Sequence, residues 1–224
     1  LWLICFQLKT INKVMSKMNN QTNNFSENLD QDLQTVLDQT AEDLGLNNLA
    51  VGFGVVTSNG IWRGVSGVSD LKTQTPTESN ELFNIGSISK SFTSAVILKL
   101  KEKGKLSLDD TLGEWLPEIA AQIPDSENIT LGQLLNGAGG ISNYVNNEAF
   151  LEDLAANYLS GTNKEWQPEE LVGYIAGEPL FSSDFSTDIW TYPNTGYIIA
   201  GMIAEEATGL PLEQILAEEI LHPL

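Results

Sequence analysis

Ser87 and Lys90 stand three residues apart in the run Phe83-Asn84-Ile85-Gly86-Ser87-Ile88-Ser89-Lys90. Residues three apart on a helix share a face, so an ammonium there comes within reach of a hydroxyl. Such a pair suits nucleophilic attack on a carbonyl, with the serine as nucleophile and a desolvated lysine as acceptor of its proton. A helix that starts at Ser87 adds unpaired backbone N–H groups and the positive end of a helix dipole, both suited to a developing oxyanion. The string alone is not specific. A chain of this length yields about one Ser-x-x-Lys by chance, and an exposed lysine on a helix gives the same pattern.

The other reactive side chains narrow the chemistry. A single cysteine, Cys5, and a single histidine, His222 beside Pro223, exclude an internal disulfide, a Cys/His zinc cluster and a Ser-His-Asp relay. A serine enzyme built on this chain must therefore use another base. Thirty acidic residues against eleven basic ones give a formal charge of -19, a field that repels nucleic acid and anionic lipid. Nucleic-acid binding is excluded on that ground, and neutral or cationic partners are favoured.

The elements that must position Ser87 and Lys90 follow from periodicity. With 42% hydrophobic residues over 224 positions, the chain is long enough to bury a core. Leu29, Leu33, Val36, Leu37 and Leu44 recur at helical spacing before Gly45, which predicts an amphipathic helix. Leu49 to Thr57 alternates Ala50, Gly52 and Gly54 with Val51, Phe53 and Val55. Asn59-Gly60 then supplies a tight turn into a second strand, Ile61 to Val68. The glycines on one strand face predict close approach of a helix or loop. From Ser87 the pattern is helical, with Phe92, Ala95, Val96 and Leu100 on a stripe and Gly104 closing it. Between Leu106 and Gly177 short helical pieces are punctuated by Pro117, Pro124, the Gly137 to Gly140 loop, Gly161 and Pro168. Helices over Gly196 to Ala207 and from Leu212 toward Leu221 complete the chain.

The expected class is α/β of the α+β type: an antiparallel sheet flanked by helices, plus a mainly helical subdomain. The expected boundaries are a disordered lead-in or signal-peptide remnant over 1–28 and one incomplete domain over 29–224. Within that domain, 29–105 holds helix, hairpin and nucleophile helix, 106–195 the helical subdomain, and 196–224 the last helices. The apolar run Leu1 to Leu8 is too short to span a bilayer, so no stable membrane span is expected.

Phe83 to Lys90, with the helix after it, resembles the nucleophile segment of the β-lactamase-related serine hydrolases. That family includes penicillin-binding D-alanyl-D-alanine carboxypeptidases, class C β-lactamases and several esterases. Three further stretches resemble it in the same order: Gly104 to Asp110 with Leu116-Pro117, Leu131 to Tyr144, and Trp190 to Tyr197. Four ordered matches, covering about Leu29 to Leu224, are far more specific than one. The family's Tyr-x-Asn motif falls on Tyr192 and Asn194. Tyr144-Val145-Asn146 reads the same way, but lacks the Gly-Tyr and the apolar helix that follow Asn194.

The resemblance implies a β-lactamase/transpeptidase-like fold and a serine hydrolase acting through an acyl-enzyme, with no metal and no cofactor. Ser87 is then the nucleophile and Lys90 its proton acceptor. Tyr192 shares the proton, serving the leaving group and the deacylating water, and Asn194 holds the substrate's acyl-side amide and the lysine. The implied partner is a small-molecule or peptide substrate: a D-alanyl-D-alanine peptide, a β-lactam or a small ester. An extracytoplasmic location goes with the family, whereas a start at Met15 or Met18 implies the cytoplasm.

Four departures qualify the match. No Lys-Thr-Gly or His-x-Gly stretch follows Tyr192, so the chain is expected to be an N-terminal fragment lacking its C-terminal strands, and inactive as it stands. Where relatives commonly read Leu-Leu-Thr-His-Thr-Ser-Gly, this sequence has Leu134-Leu135-Asn136-Gly137-Ala138-Gly139-Gly140, and Ser186-Thr187 replaces a Pro-Gly turn. Pro193 is an unusual middle residue of the motif, whose fixed φ stiffens the loop and biases Tyr192 toward an extended backbone. The missing motif and the altered loop support a second class of function, a non-catalytic penicillin-binding-like module that binds peptidoglycan-type peptides.

Overall fold

Among the described residues Ser26 opens the first helix: its hydroxyl accepts from the Leu29 N–H at 3.3 Å, satisfying one of the donors a helix start leaves free. Helix α1 (Glu27–Asp43) buries Leu37 and Ala41, while Leu29, Val36 and Leu44 of the expected stripe stay exposed. The computed structural model describes residues 25–58, 60–162, 164–181 and 190–223. The expected lead-in up to residue 24 and the Ser186-Thr187 substitution lie outside them. The chain divides into two compact units between Asn84 and Ile85.

In the first unit, β1 (Val51–Thr57) and β2 (Gly60–Ser66) pair antiparallel with Val51 opposite Ser66 and Thr57 opposite Gly60. Helix α1 packs on β2, where the Gln34 side chain donates to the Val65 carbonyl at 2.9 Å. The glycine that permits this packing is Gly64, on β2. A Cβ there would fall 2.1 Å from the Trp62 ring and 2.9 Å from Leu37, so the bare backbone makes room for a buried indole and for the helix. On β1 the expected close approach occurs at Gly52, where a Cβ would lie 3.2 Å from the Phe83 ring, but not at Gly54, whose nearest atom is an ordinary 3.8 Å away.

The expected strand Ile61 to Val68 is not continuous. Gly67 adopts φ +78°, and a Cβ at that position would lie 1.9 Å from the Leu49 carbonyl oxygen, so the chain turns there. β3 (Val68–Asp70) then pairs antiparallel with β4 (Thr75–Pro76) in a second two-stranded sheet. The Asp70 carboxylate accepts from the N–H groups of Thr73 at 3.0 Å and Lys72 at 2.7 Å. Those bonds hold its pKa below the ordinary carboxylate value and organise the turn.

The second unit is helical: α2 (Ser89–Glu102), α3 (Leu112–Trp115), α4 (Pro117–Ala120), α5 (Leu131–Asn136), α6 (Glu148–Ser160), α7 (Pro168–Gly173), α8 (Asn194–Thr208) and α9 (Leu212–Leu216). Single turns of 3₁₀-helix occupy Gly86–Ile88 and Tyr144–Asn146, and a π turn runs over Ala217–Leu221. Pro117 and Pro168, which punctuate the sequence, are the first residues of α4 and α7, where a missing N–H costs nothing. Reciprocal capping boxes at Thr111/Glu114 and Thr130/Gln133 start α3 and α5.

Helix α8 is apolar on every side, with all ten residues from Thr195 to Ala204 buried, so it runs through the middle of the unit. It packs against α2, α3, α5, α7 and α9. Ile198, Ile199 and Ile203 are 0–1% exposed, and each fully buried side chain of that size contributes about 1.5–3 kcal/mol. On α2 the buried stripe is Thr93, Val96, Ile97 and Leu100; Phe92 only leans on the core. Its far end is tied to the π turn by Lys103, which pairs with both oxygens of Glu219 at 2.5 and 2.6 Å. Among the described residues no helix is long and apolar enough to cross a membrane. Helices with short antiparallel sheets make the fold α+β.

Candidate active site

Ser87 is the middle residue of the 3₁₀ turn Gly86–Ile88, so α2 begins two residues later than its sequence pattern suggests. The turn is closed by the Ile88 N–H to the Ile85 carbonyl at 3.1 Å and pinned by the Ser89 hydroxyl, which donates to the Gly86 carbonyl at 2.7 Å. Across the junction of this turn with α2, residues three apart share a face. The exposed Ser87 hydroxyl and the half-buried Lys90 accordingly stack, with Nζ donating to Oγ at 3.3 Å.

Lys90 Nζ also donates to Asn194 Oδ1 at 2.6 Å and lies 4.8 Å from the centre of the Tyr192 ring and 5.7 Å from that of Tyr197. The π-faces favour a cation at such distances. The Ser87 hydroxyl bonded to the Tyr192 phenol holds that phenol below the ordinary tyrosine pKa. Burial opposes the shift and the Lys90 charge adds to it. The structure thus brings together all four residues singled out by sequence, Ser87, Lys90, Tyr192 and Asn194, and all four belong to the second unit.

Tyr192 and Asn194 are held by a tight turn. Pro193 takes φ -89° and ψ 48°, and the Asn194 N–H donates to the Tyr192 carbonyl at 3.0 Å, the pattern of an inverse γ-turn. A proline suits that position because its ring fixes φ nearby and no N–H is needed from it. Upstream, the Thr191 N–H donates to the Gly137 carbonyl at 3.0 Å, and Trp190 meets Tyr192 edge to face at 6.0 Å. Gly137 has φ +78°, and a Cβ on it would lie 2.5 Å from the Thr191 oxygen and 2.8 Å from Trp190 Nε1. The space that a side chain at Gly137 would need is filled by the chain that bears Tyr192.

Four further residues shape the site. Thr195, 1% exposed, donates to the Ser142 carbonyl at 2.7 Å and accepts from the Tyr144 N–H at 3.1 Å. Asn143 Oδ1 accepts from Asn194 Nδ2 at 3.2 Å. One turn further along both helices, Ser94 Oγ on α2 and the Tyr197 hydroxyl on α8 are 2.9 Å apart. None of these contacts has a local signal, since the partners are 51 to 103 residues apart. Spacing does explain two of them: Ser94 is four residues after Lys90 and Tyr197 three after Asn194, so each repeats its face.

Tyr144, the other tyrosine with an asparagine two residues on, is a core residue. It is 5% exposed and packs edge to face on Phe150 at 5.0 Å, and burial pushes its phenol up. Phe150 also meets Trp166 at 5.7 Å and Tyr174 at 5.3 Å. Among the described residues no group of His, Cys, Asp and Glu could hold a metal ion.

A family model described as Beta-lactamase matches residues 34–224. The chain belongs to the beta-lactamase family. The beta-lactamase match runs from within α1 to the last residue and takes in every residue of the cluster. Penicillin-binding protein 4* of Bacillus subtilis (strain 168) is 29% identical over 157 residues, 70% of this chain and 32% of that protein. Esterase EstB of Burkholderia gladioli is 25% identical over 202 residues, 86% of this chain and 49% of that protein. The chain therefore spans a third to a half of the length of these relatives. Among solved structures, a D-stereospecific amidohydrolase from Streptomyces sp. matches with a TM-score of 0.71 at 27% identity, over 85% of this chain and 54% of that one.

Proposed function

We propose that this member of the beta-lactamase family is a serine hydrolase that forms an acyl-enzyme on Ser87 with an amide or ester substrate. The observation that carries the reading is the position of Lys90 Nζ, 3.3 Å from Ser87 Oγ and 2.6 Å from Asn194 Oδ1. In acylation the Ser87 oxygen bonds to the substrate carbonyl carbon while its proton passes to Lys90. Collapse of the tetrahedral adduct breaks the bond to the leaving nitrogen or oxygen, which takes a proton from the Lys90–Tyr192 pair. Water then attacks the acyl ester, giving its proton to the same pair and releasing acid and free serine. The lowered pKa of Tyr192 supports its part, because a phenol that ionises readily exchanges protons at less cost.

The substrate class is bounded by what the relatives' names share. Penicillin binding, ester hydrolysis and D-stereospecific amide hydrolysis all involve an acyl group on nitrogen or oxygen. A D-alanyl-D-alanine peptide, a β-lactam and a small ester fit alike. In the full-length protein a fluorescent penicillin or an activated ester should label the wild type and leave Ser87→Ala unlabelled. Lys90→Ala should slow acylation by about 10²–10⁴-fold. Equal labelling of wild type and Ser87→Ala would reject Ser87 as the nucleophile.

A further inference from the structure

We propose that Asn143 is a positioning residue that sets which end of the Asn194 amide faces Lys90; this rests on the acyl-serine reading above. An asparagine offers an oxygen and an NH₂ in nearly the same two places, so an isolated Asn194 can turn either end to the lysine. Only the oxygen can accept from Lys90 Nζ, as it does at 2.6 Å. The opposite end, Nδ2, donates to Asn143 Oδ1 at 3.2 Å.

Asn143 is itself an amide and needs its own anchor. That anchor is the Val145 N–H, which donates to the same Oδ1 at 3.4 Å. A backbone N–H can only donate, so inverting Asn143 would aim its NH₂ at two donors at once. Polarity is therefore passed from a fixed backbone group through two side-chain amides to the amine beside Ser87. The loop carrying the anchor is fastened to the start of α8 by Thr195, through Ser142 and Tyr144.

The test uses single-turnover acylation of the full-length protein by an activated ester, with thermal unfolding recorded for each variant. Asn143→Ala should slow acylation about 10-fold or more, and Asn143→Asp, which offers only acceptor oxygens, should stay within about 3-fold of wild type. On an Asn194→Ala background, Asn143→Ala should change the rate less than about 2-fold, because the amide it orients is gone. A purely structural role predicts instead no recovery with aspartate and the same loss in both backgrounds. Wild-type rates in Asn143→Ala, aspartate as slow as alanine, or an undiminished effect without Asn194 each overturn the proposal. Ser87→Ala is run alongside. Labelling that survives it sinks the hydrolase reading, whereas labelling abolished there with an indifferent Asn143→Ala sinks only the orienting role.

Discussion

Replacing Thr195 by valine removes one oxygen from the interior and changes almost nothing in shape. The hydroxyl it deletes donates to the Ser142 carbonyl at 2.7 Å and accepts from the Tyr144 N–H at 3.1 Å, at a position 1% exposed. Valine leaves both backbone groups buried without a partner, and each such loss costs about 1–3 kcal/mol. The added methyl returns part of this, so the expected net destabilisation is about 2–4 kcal/mol. Thr195→Ser keeps the hydroxyl and loses one methyl group, for about 1 kcal/mol. Urea unfolding followed by tryptophan fluorescence measures both, with equal m-values required for the comparison. The more apolar variant should thus be the less stable one. Wild-type stability in Thr195→Val, or a larger loss in Thr195→Ser, would show that the hydroxyl does not hold loop and helix together.

Other substitutions probe the remaining supports. Gly137→Ala forces a side chain into a left-handed backbone and against the Thr191 oxygen; it should slow acylation about 10-fold by displacing Tyr192, and an unchanged rate in stopped-flow acylation would contradict the geometry. Tyrosinate absorbance followed against pH should show one phenol ionising below the ordinary range in the wild type and absent from Tyr192→Phe. In Ser87→Ala that step should move to higher pH, because the serine hydrogen bond is its leading cause. Glu205 is half-buried and accepts from the Leu212 N–H at 2.8 Å. Burial raises its pKa against that bond, with the carboxylates of Glu213 and Glu169 adding to the rise. A raised carboxylate destabilises the folded state where it is ionised and ceases to do so as it protonates. Glu205→Gln should accordingly raise the unfolding midpoint by about 2 °C at pH 7.5 and less toward pH 4; a gain that grows on acidification would reverse the sign of the argument.

Periodicity made the larger elements legible. The stripe ending near Gly45, the alternation on either side of Asn59-Gly60, and the apolar run after Asn194 correspond to α1, the β1–β2 hairpin and α8. These are elements whose form depends on their own residues. The break at Gly67 was hidden because its cause, the Leu49 carbonyl, lies eighteen residues away in sequence. β4 was hidden because two residues ending in proline carry no alternation. Ser87 read as helical because a 3₁₀ turn and the first turn of an α-helix share the same three-residue spacing, and only the hydrogen-bond pattern separates them. At the site, the reactive types stand in strings that can be recognised, whereas Asn143 and Thr195 are ordinary polar residues whose roles exist only once α8 meets the 142–146 loop.

Among the described residues, the partners of Lys90 Nζ named above and the bonds that brace them lie between residues 87 and 197, in the unit that begins after Asn84. Genetic exchange with a junction near that boundary would hand the reactive group to a new upstream segment without cutting it in two. A junction between 147 and 190 would separate the nucleophile and its supporting loop from the phenol and amide, and the recombinant would have to regain the long-range bonds one at a time.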